Sequence, residues 1–286
     1  MTNKQSSSDL FKKSFLAKKL AEDKSETKDN FAIFLKWHNE TRNESKIQAN
    51  FLNDIFGNVL GYEFETNKEE YNLDYEQTTD KSRKPVDGVL GFFTKENRKI
   101  KVIIELKGKD TKNINTIEQQ AFDYLKEFSD VDYIITSNTE TIRLYSKKHM
   151  SVKYIEWTMS ELANSLEKQK EFHFFLAKGR LFSKEGISEV AKLIEDNTKE
   201  EELIEERLYN DYKDLRKKLF NHLREQNPAK EPTTLLSKTQ KILDRIIFVC
   251  FCEDLNLLPD KIFTKLLKTT QEAFVEVSIW QQIKGF

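Results

Sequence analysis

The sequence lacks the short motifs typical of the commonest nucleotide-binding proteins and hydrolases. It contains no GxGxxG, no GxxxxGK[ST] and no GxSxG, which excludes a Rossmann dinucleotide site, a P-loop and a nucleophile elbow. Its four histidines are scattered, and no two have the spacing of zinc ligands. We therefore expect neither nucleotide chemistry nor a zinc centre.

Cysteines and long apolar runs are also scarce. The two cysteines, Cys250 and Cys252, form a CxC within an apolar helical pattern, where their side chains point to different sides. We expect two inert core thiols and no disulfide or metal site. No apolar run reaches membrane length, and the opening MTNKQSSSDLFKKSFLAKKL has no signal-peptide core. The sequence predicts a cytoplasmic protein without a membrane partner.

Neither sign of charge is in excess over the whole chain, whose formal net charge is -1. A partner that carries phosphates would have to meet a local basic patch. Such an excess exists between residues 81 and 112, with ten Lys and Arg against four Asp and Glu. A solvated charged hairpin would have the same composition, so this excess only supports a phosphate partner.

Two kinds of hydrophobic periodicity divide the chain. Strand-like segments occur at 62–66, 86–93, 99–108, 132–137, 141–146 and 152–157, with a helix over 115–129. From about residue 160 the period becomes 3.6, and apolar stripes predict helices over 198–226 and 233–252. The expected fold class is α/β, a mixed β-sheet flanked by helices over residues 1–180, followed by an all-α helical domain over 181–286.

Charged residues end one of these apolar strands, in the stretch IIELK. Side chains at i and i+2 share a face, so Glu105 and Lys107 point away from the core that their neighbours enter. A hairpin between 86–93 and 99–108 brings Asp87 beside Glu105. Two close carboxylates repel unless a cation lies between them, and an oxygen-only pair suits Mg²⁺. Lys107 can then orient a water or offset developing charge. A surface salt bridge is the plainer alternative.

This constellation resembles the PD-(D/E)xK nuclease superfamily. KPVD supplies Pro85 and Asp87, separated by Val86 where the family name writes the two adjacent, and IELK supplies Glu105 and Lys107. The predicted order of elements also fits the helix, three strands, helix and strand of that core. The resemblance implies a restriction-endonuclease-like fold in which Asp87, Glu105 and Lys107 are catalytic.

The helix after the ELK strand extends the resemblance. QAFDY supplies Gln120 and Tyr124, which are similar to the QxxxY motif of several such nucleases. There the two residues lie beside the site and help to position the DNA backbone, although ordinary helix residues would give the same pattern. The resemblance places Lys84 and Lys109 at the DNA as well.

The resemblance also implies the metal ligands. Asp87 and Glu105 would bind Mg²⁺, for which Mn²⁺ can substitute, and the carbonyl oxygen of Leu106 would join them. Glu44, in the opening helix, has the position of an acid that often supports the metal site in this superfamily. It is the weakest of these correspondences.

The helical half resembles the connector of single-chain type IIG restriction–modification enzymes, through KGRLFS, EEELIEERLYNDYKDLRKKLFNHL and LLSKTQKILDRIIFVCFCEDLNLLP. In those enzymes the nuclease and connector precede an N6-adenine methyltransferase and a target-recognition domain. An NPPY-like tetrapeptide and a glycine-rich S-adenosylmethionine loop are absent here. The resemblance implies a truncated gene product or an N-terminal part, without an S-adenosylmethionine site.

The expected function is that of an Mg²⁺-dependent endonuclease module, a phosphodiester hydrolase acting on double-stranded DNA. The family implies 5′-phosphate and 3′-hydroxyl ends. One site hydrolyses one strand at a time, so a transient homodimer on DNA is expected, and the missing methyltransferase and target-recognition domains are the other partners. Two alternatives stay open: a standalone repair nuclease of the same fold, and a non-catalytic nuclease-like scaffold.

Overall fold

Within the part of the chain that the structure describes, six strands lie side by side in chain order. The strands are β1 (Tyr71–Gln77), β2 (Val86–Phe93), β3 (Arg98–Leu106), β4 (Tyr133–Ser137), β5 (Thr141–Ser146) and β6 (Tyr154–Thr158). Only β3 and β4 pair in parallel, while the other neighbours are antiparallel. A parallel pair needs a crossover connection, and the segment that contains a helix over Asn115–Tyr124 provides it. The predicted mixed sheet is confirmed.

Helices precede the sheet, connect β3 to β4 and follow β6. They are α1 (Lys13–Glu22), α2 (Phe31–His38), α3 (Gln48–Phe51), α4 (Asn115–Tyr124), α5 (Met159–Asn164), α6 (Leu166–Leu176), α7 (Glu189–Gln226) and α8 (Pro232–Asp254). The helix that starts with α3 continues as a π-helical stretch over Leu52–Val59. Gly61 follows it with a φ of 81°, a conformation that glycine adopts without a steric penalty. The predicted helical C-terminal region is also confirmed.

The computed structural model describes residues 10–41, 47–65, 69–77, 86–125, 128, 130–149, 153–254, 257–259, 261–265 and 268. The chain divides into two compact units, Met1–Glu200 and Glu201–Phe286. The domain boundary expected between residues 180 and 181 stays a prediction. Among the helices described, none has the length and apolarity needed to cross a membrane.

Both faces of the sheet are covered by apolar side chains. Val102, Ile104 and Leu106 enter the larger core together with residues of α1, α2, α5 and α6. Ile103 points to the other face, where it packs in a second core with Ala121 of α4. The expected alternation along β3 is therefore confirmed. Because α4 covers the second face, side chains on that face are not automatically exposed to water.

The strand expected at 62–66 is wrong for residues 62–65, which belong to no strand. The ring of Phe64 stacks on Tyr75 of β1 at a centroid distance of 4.2 Å, and the Tyr62 hydroxyl donates to the Leu176 carbonyl. The Phe64 side chain is therefore held by ring stacking and the Tyr62 side chain by a hydrogen bond, although neither residue belongs to a strand. The edge strand β1, with its alternating Tyr and Leu residues, was not predicted.

The expectation of two core thiols is half wrong. Cys252 is buried, but Cys250 is exposed. Successive residues on a helix are about 100° apart, so i and i+2 lie on nearly opposite sides of α8. One apolar face can therefore bury only one of them.

Gly91 offers a test of the sheet. A Cβ built on Gly91 would lie 2.1 Å from the Lys99 carbonyl oxygen, at the irregularity in the pairing of β2 with β3. Because the obstacle is backbone, we expect Gly91→Ala to lower the free energy of unfolding by about 1–3 kcal/mol. The matched control is Gly57→Ala, whose Cβ would meet its nearest atom at 3.5 Å. Urea denaturation of both variants is the measurement, and equal stabilities would contradict the observed close approach.

Candidate active site

Glu105 is a buried carboxylate near the end of a central strand. Only 1% of its surface is exposed. Gly88 pairs with Ile104 in the antiparallel register of β2 and β3, so Asp87 lies directly opposite Glu105. Directly opposite residues have Cα atoms about 4.5–5.5 Å apart. The hairpin thus brings the two acids together, but the Glu105 side chain lies under α4 and not at a solvated sheet edge.

Two nitrogen donors from different elements meet at one oxygen of Glu105. The Lys107 ammonium lies 2.9 Å from Glu105 Oε1, and the Gln120 amide donates to the same oxygen at 2.6 Å. Burial of an unpaired carboxylate is costly, and a cation with an amide donor offsets that cost. These contacts are the physical reason why a charge is tolerated inside the second core.

Asp87 is held by a backbone donor and by α3. Its Oδ2 accepts from the Leu106 backbone N–H at 2.6 Å, and its Oδ1 accepts from the Gln48 side-chain amide at 3.0 Å. The first contact ties Asp87 to the residue between Glu105 and Lys107. The second makes Gln48 part of the site, which the sequence had not indicated. Its contact joins positions 39 apart in the chain, so no local pattern could reveal it.

Tyr124 completes the group on the α4 side. The Gln120 amide nitrogen lies 3.3 Å from the Tyr124 hydroxyl, at hydrogen-bond distance. Burial raises the pKa of Tyr124, and the negative charges of Glu105 and Asp87 raise it further, while the Gln120 hydrogen bond lowers it. The phenol therefore stays protonated at neutral pH and can donate a hydrogen bond.

The structure brings together most of the residues predicted for the site. The gathered residues are Asp87, Glu105, Leu106, Lys107, Gln120 and Tyr124. Lys109 lies nearby, but its ammonium is 2.9 Å from Glu140 and also donates to the His38 carbonyl. Glu44, Lys84 and Pro85 lie outside the described residues.

The basic residues of the 81–112 segment do not all surround the site. The turn between β2 and β3, which includes Lys95, is at the opposite end of the hairpin from Asp87. The rise of about 3.3 Å per strand residue separates the two ends by about 20 Å. Near that far end, Arg98 pairs with Asp74 at 2.7 Å. The local excess of positive charge is therefore spread along the hairpin.

The oxygen atoms of the site fit a small divalent cation. The Lys107 ammonium contacts both Glu105 Oε1, at 2.9 Å, and the Leu106 carbonyl oxygen, at 3.1 Å, so these two oxygens already converge on one cationic group. With Asp87 opposite, the donors are oxygen only, as Mg²⁺ prefers. Among the described residues, no group of three or more His, Cys, Asp or Glu is placed to hold a metal. A site here would use two carboxylates, a carbonyl and water.

No protein-family model matches this chain, and comparisons with curated proteins and with solved structures found no match either.

The buried ion pair makes a prediction that is independent of function. Lys107→Met removes the ammonium and leaves the Glu105 carboxylate buried, which should lower the free energy of unfolding by about 1–3 kcal/mol. Adding Glu105→Gln to this variant should recover most of the loss, because the uncompensated charge is then gone.

The control is Lys101→Met, a lysine within β3. Lys101 pairs with Asp132 at 2.9 Å, but the Asp132 side chain is 53% exposed, so we expect a loss below about 1 kcal/mol. Urea denaturation at neutral pH compares all three variants with the unsubstituted chain. Equal losses for the two single variants would mean that Glu105 is not buried as the structure has it.

Proposed function

We propose that the α/β unit is a Mg²⁺-dependent DNA endonuclease module of the PD-(D/E)xK class. In this proposal its sheet is a restriction-endonuclease-like fold, and its reaction is the hydrolysis of phosphodiesters in double-stranded DNA. Asp87, Glu105 and the Leu106 carbonyl bind the metal ion. Lys107 assists the chemistry, and Gln120 and Tyr124 position the strand that is cut.

One observation supports this proposal more than any other. Lys107 directly follows β3 and Gln120 belongs to α4, yet both contact the same oxygen of Glu105, at 2.9 and 2.6 Å. The two residues belong to separate sequence motifs, Lys107 to ExK and Gln120 to QxxxY. If the ExK sequence had arisen by chance, there would be no reason for Gln120 of the QxxxY motif to contact Glu105.

The side chains of the site have complementary tasks in the proposed reaction. A water molecule attacks phosphorus and the P–O3′ bond breaks, which leaves a 5′-phosphate and a 3′-hydroxyl. When bound, Mg²⁺ supplies Lewis-acid stabilisation of the charge on the phosphate oxygens. The Lys107 ammonium, a donor with no acceptor capacity, orients the water or offsets the charge of the transition state. The Tyr124 hydroxyl and Gln120 amide offer donors to the backbone of the strand.

The wider proposal concerns the enzyme to which this module belongs. The helix α7 contains EEELIEERLYNDYKDLRKKLFNHL, and α8 contains most of LLSKTQKILDRIIFVCFCEDLNLLP, which are two of the segments that resemble the type IIG connector. We infer a nuclease and connector that work together with methyltransferase and target-recognition domains. Specificity then resides outside this chain, so we expect its own DNA binding to be weak, salt-sensitive and indifferent to sequence.

A non-catalytic scaffold is the second candidate, and one observation favours it. The Lys107 ammonium already bridges Glu105 and the Leu106 carbonyl, which is also how a purely structural ion pair would be arranged. In an active site this lysine must give way to the metal and contact water or phosphate. The two candidates therefore differ in the effect of Lys107 on cleavage and not in its contacts.

The central prediction compares cleavage of supercoiled plasmid in Mg²⁺. We expect Lys107→Ala to reduce the rate by at least about 100-fold, because the loss of one preorganised charged donor commonly costs that much. Asp87→Ala and Glu105→Ala should abolish cleavage. Lys101→Ala, on β3 about 20 Å from Lys107, should cut as fast as the unsubstituted chain. Lys107→Ala with undiminished cleavage would refute the nuclease proposal.

Metal binding separates the roles further. Calorimetry with Mn²⁺ should show one site whose affinity falls at least about tenfold in Glu105→Gln and Asp87→Asn, because each removes one charged ligand. Lys107→Ala should bind the metal at least as tightly as the unsubstituted chain, since an ammonium is no ligand and competes for the same oxygens. Ca²⁺ should occupy the site without supporting cleavage. Equal Mn²⁺ affinity in all variants would argue for the scaffold.

A further inference from the structure

A row of polar side chains crosses the sheet beneath α4, beyond the residues of the proposed site. The strand registers pair Glu105 with Thr136, Thr136 with Arg143, and Arg143 with Glu156. These four residues thus stand side by side on β3, β4, β5 and β6, on one face of the sheet. Glu105, Thr136 and Arg143 are all buried, at 1%, 0% and 9% exposure. A buried arginine in this row requires an explanation.

Arg143 is bound on several sides at once. Its Nε donates to Glu156 at 2.6 Å, and its Nη1 donates to Asn115 at 2.7 Å and also to Glu118. Its guanidinium lies 4.3 Å from the centre of the Tyr154 ring. Burial by itself lowers the pKa of Arg143, but hydrogen bonds with Tyr145 and Glu156 raise it overall. The side chain therefore keeps its charge and joins the start of α4 to β6.

We propose that Arg143 is a positioning residue for the candidate active site, which it serves by fixing the orientation of α4. This inference rests on the proposed nuclease function for its consequence but not for its geometry. Arg143 touches none of the proposed metal ligands in its described contacts. It would act through Gln120, the α4 residue that contacts Glu105.

The positions of the contacts around α4 support this role. Residues two apart on a helix lie about 200° apart around its axis, so Glu118 and Gln120 project on opposite sides. Ile117 and Ala121, between them, face the sheet and are buried. Gln120 thus reaches β3 on one side, and Glu118 reaches Arg143 on the other. Apolar packing alone permits a helix to roll about its axis, whereas hydrogen bonds on both sides restrict that roll.

The row of polar side chains across the sheet does not connect Arg143 to Glu105 by hydrogen bonds, because it is interrupted at Thr136. This threonine stands between the two, yet its hydroxyl has no hydrogen-bond partner among the described residues. A continuous chain of hydrogen bonds through the sheet is therefore absent at this point of the described structure. The path that hydrogen bonds do provide leads from Arg143 to α4 and from Gln120 to Glu105.

The consequence for the proposed reaction is a sensitivity to small displacements of α4. If α4 rolls about its axis, the Gln120 side chain moves relative to Glu105. A displacement of about 1 Å at a catalytic group can cost about 100-fold in rate. Arg143→Lys keeps the charge but loses the planar fork that serves two partners at once. We expect it to slow cleavage at least about tenfold while metal affinity changes less than twofold.

The experiment combines a structural measurement with an activity measurement on the full chain. In an NMR spectrum, the side-chain amide signal of Gln120 is identified by its absence in Gln120→Ala. Arg143→Lys should shift this signal. The matched control is Arg180→Lys, because Arg180 likewise pairs with two acids, Asp23 and Glu189, and lies 5.0 Å from an aromatic ring. The control should leave both the signal and the cleavage rate unchanged.

A double-variant cycle then tests the route through Gln120. If Arg143 acts through this residue, Arg143→Lys combined with Gln120→Ala should cleave no more slowly than Gln120→Ala alone. Losses that multiply would overturn the proposal, as would an unshifted Gln120 signal in Arg143→Lys. Equal effects of the arginine control would show a general loss of stability and would also overturn it. If the unsubstituted chain does not cleave DNA, the nuclease proposal fails, and the Gln120 signal alone decides whether Arg143 positions α4.

Discussion

The burial of one carboxylate imposes the organisation of the site. Glu105 is almost completely removed from water, and the cost of taking an unpaired charge into a protein interior amounts to several kcal/mol. The Lys107 ammonium, two residues along the chain, and the side-chain amide of Gln120 in α4 offset this cost. Without those two partners the carboxylate would lie uncompensated beneath α4.

The need to compensate the buried charge of Glu105 links elements that would otherwise be independent. The helix α4 must place Gln120 over Glu105, and the crossover between the parallel strands β3 and β4 is the segment that contains it. On the other side of the sheet, α3 reaches Asp87 through Gln48. The hairpin, the crossover helix and the first helical layer therefore meet at one pair of acids. A site at such a meeting point is held by three elements, which favours the preorganisation that catalysis requires.

The long helices α7 and α8 differ from the sheet in how far their apolar side chains are buried. They carry few buried residues of their own, and large apolar side chains such as Leu208 and Phe248 are more than half exposed. The helical period of the sequence is clear, and both helices are present. Periodicity reveals a helix and its apolar stripe, but the burial of that stripe depends on what packs against it. The apolar stripe of α8 therefore does not by itself reveal how much of the helix is buried.

Local patterns in the sequence determined a good part of this protein: the strands β2 to β6, the faces of β3, and the opposition of Asp87 and Glu105 across a hairpin. Those features depend on alternation and on a short turn, which act between near neighbours. The tertiary structure alone decided that Glu105 is buried and that Gln48 contacts Asp87. It also decided that Arg143 binds Asn115, across 28 positions of the chain. Contacts of that separation depend on how helices pack onto a sheet, and no periodicity in one sequence encodes which side chains then meet.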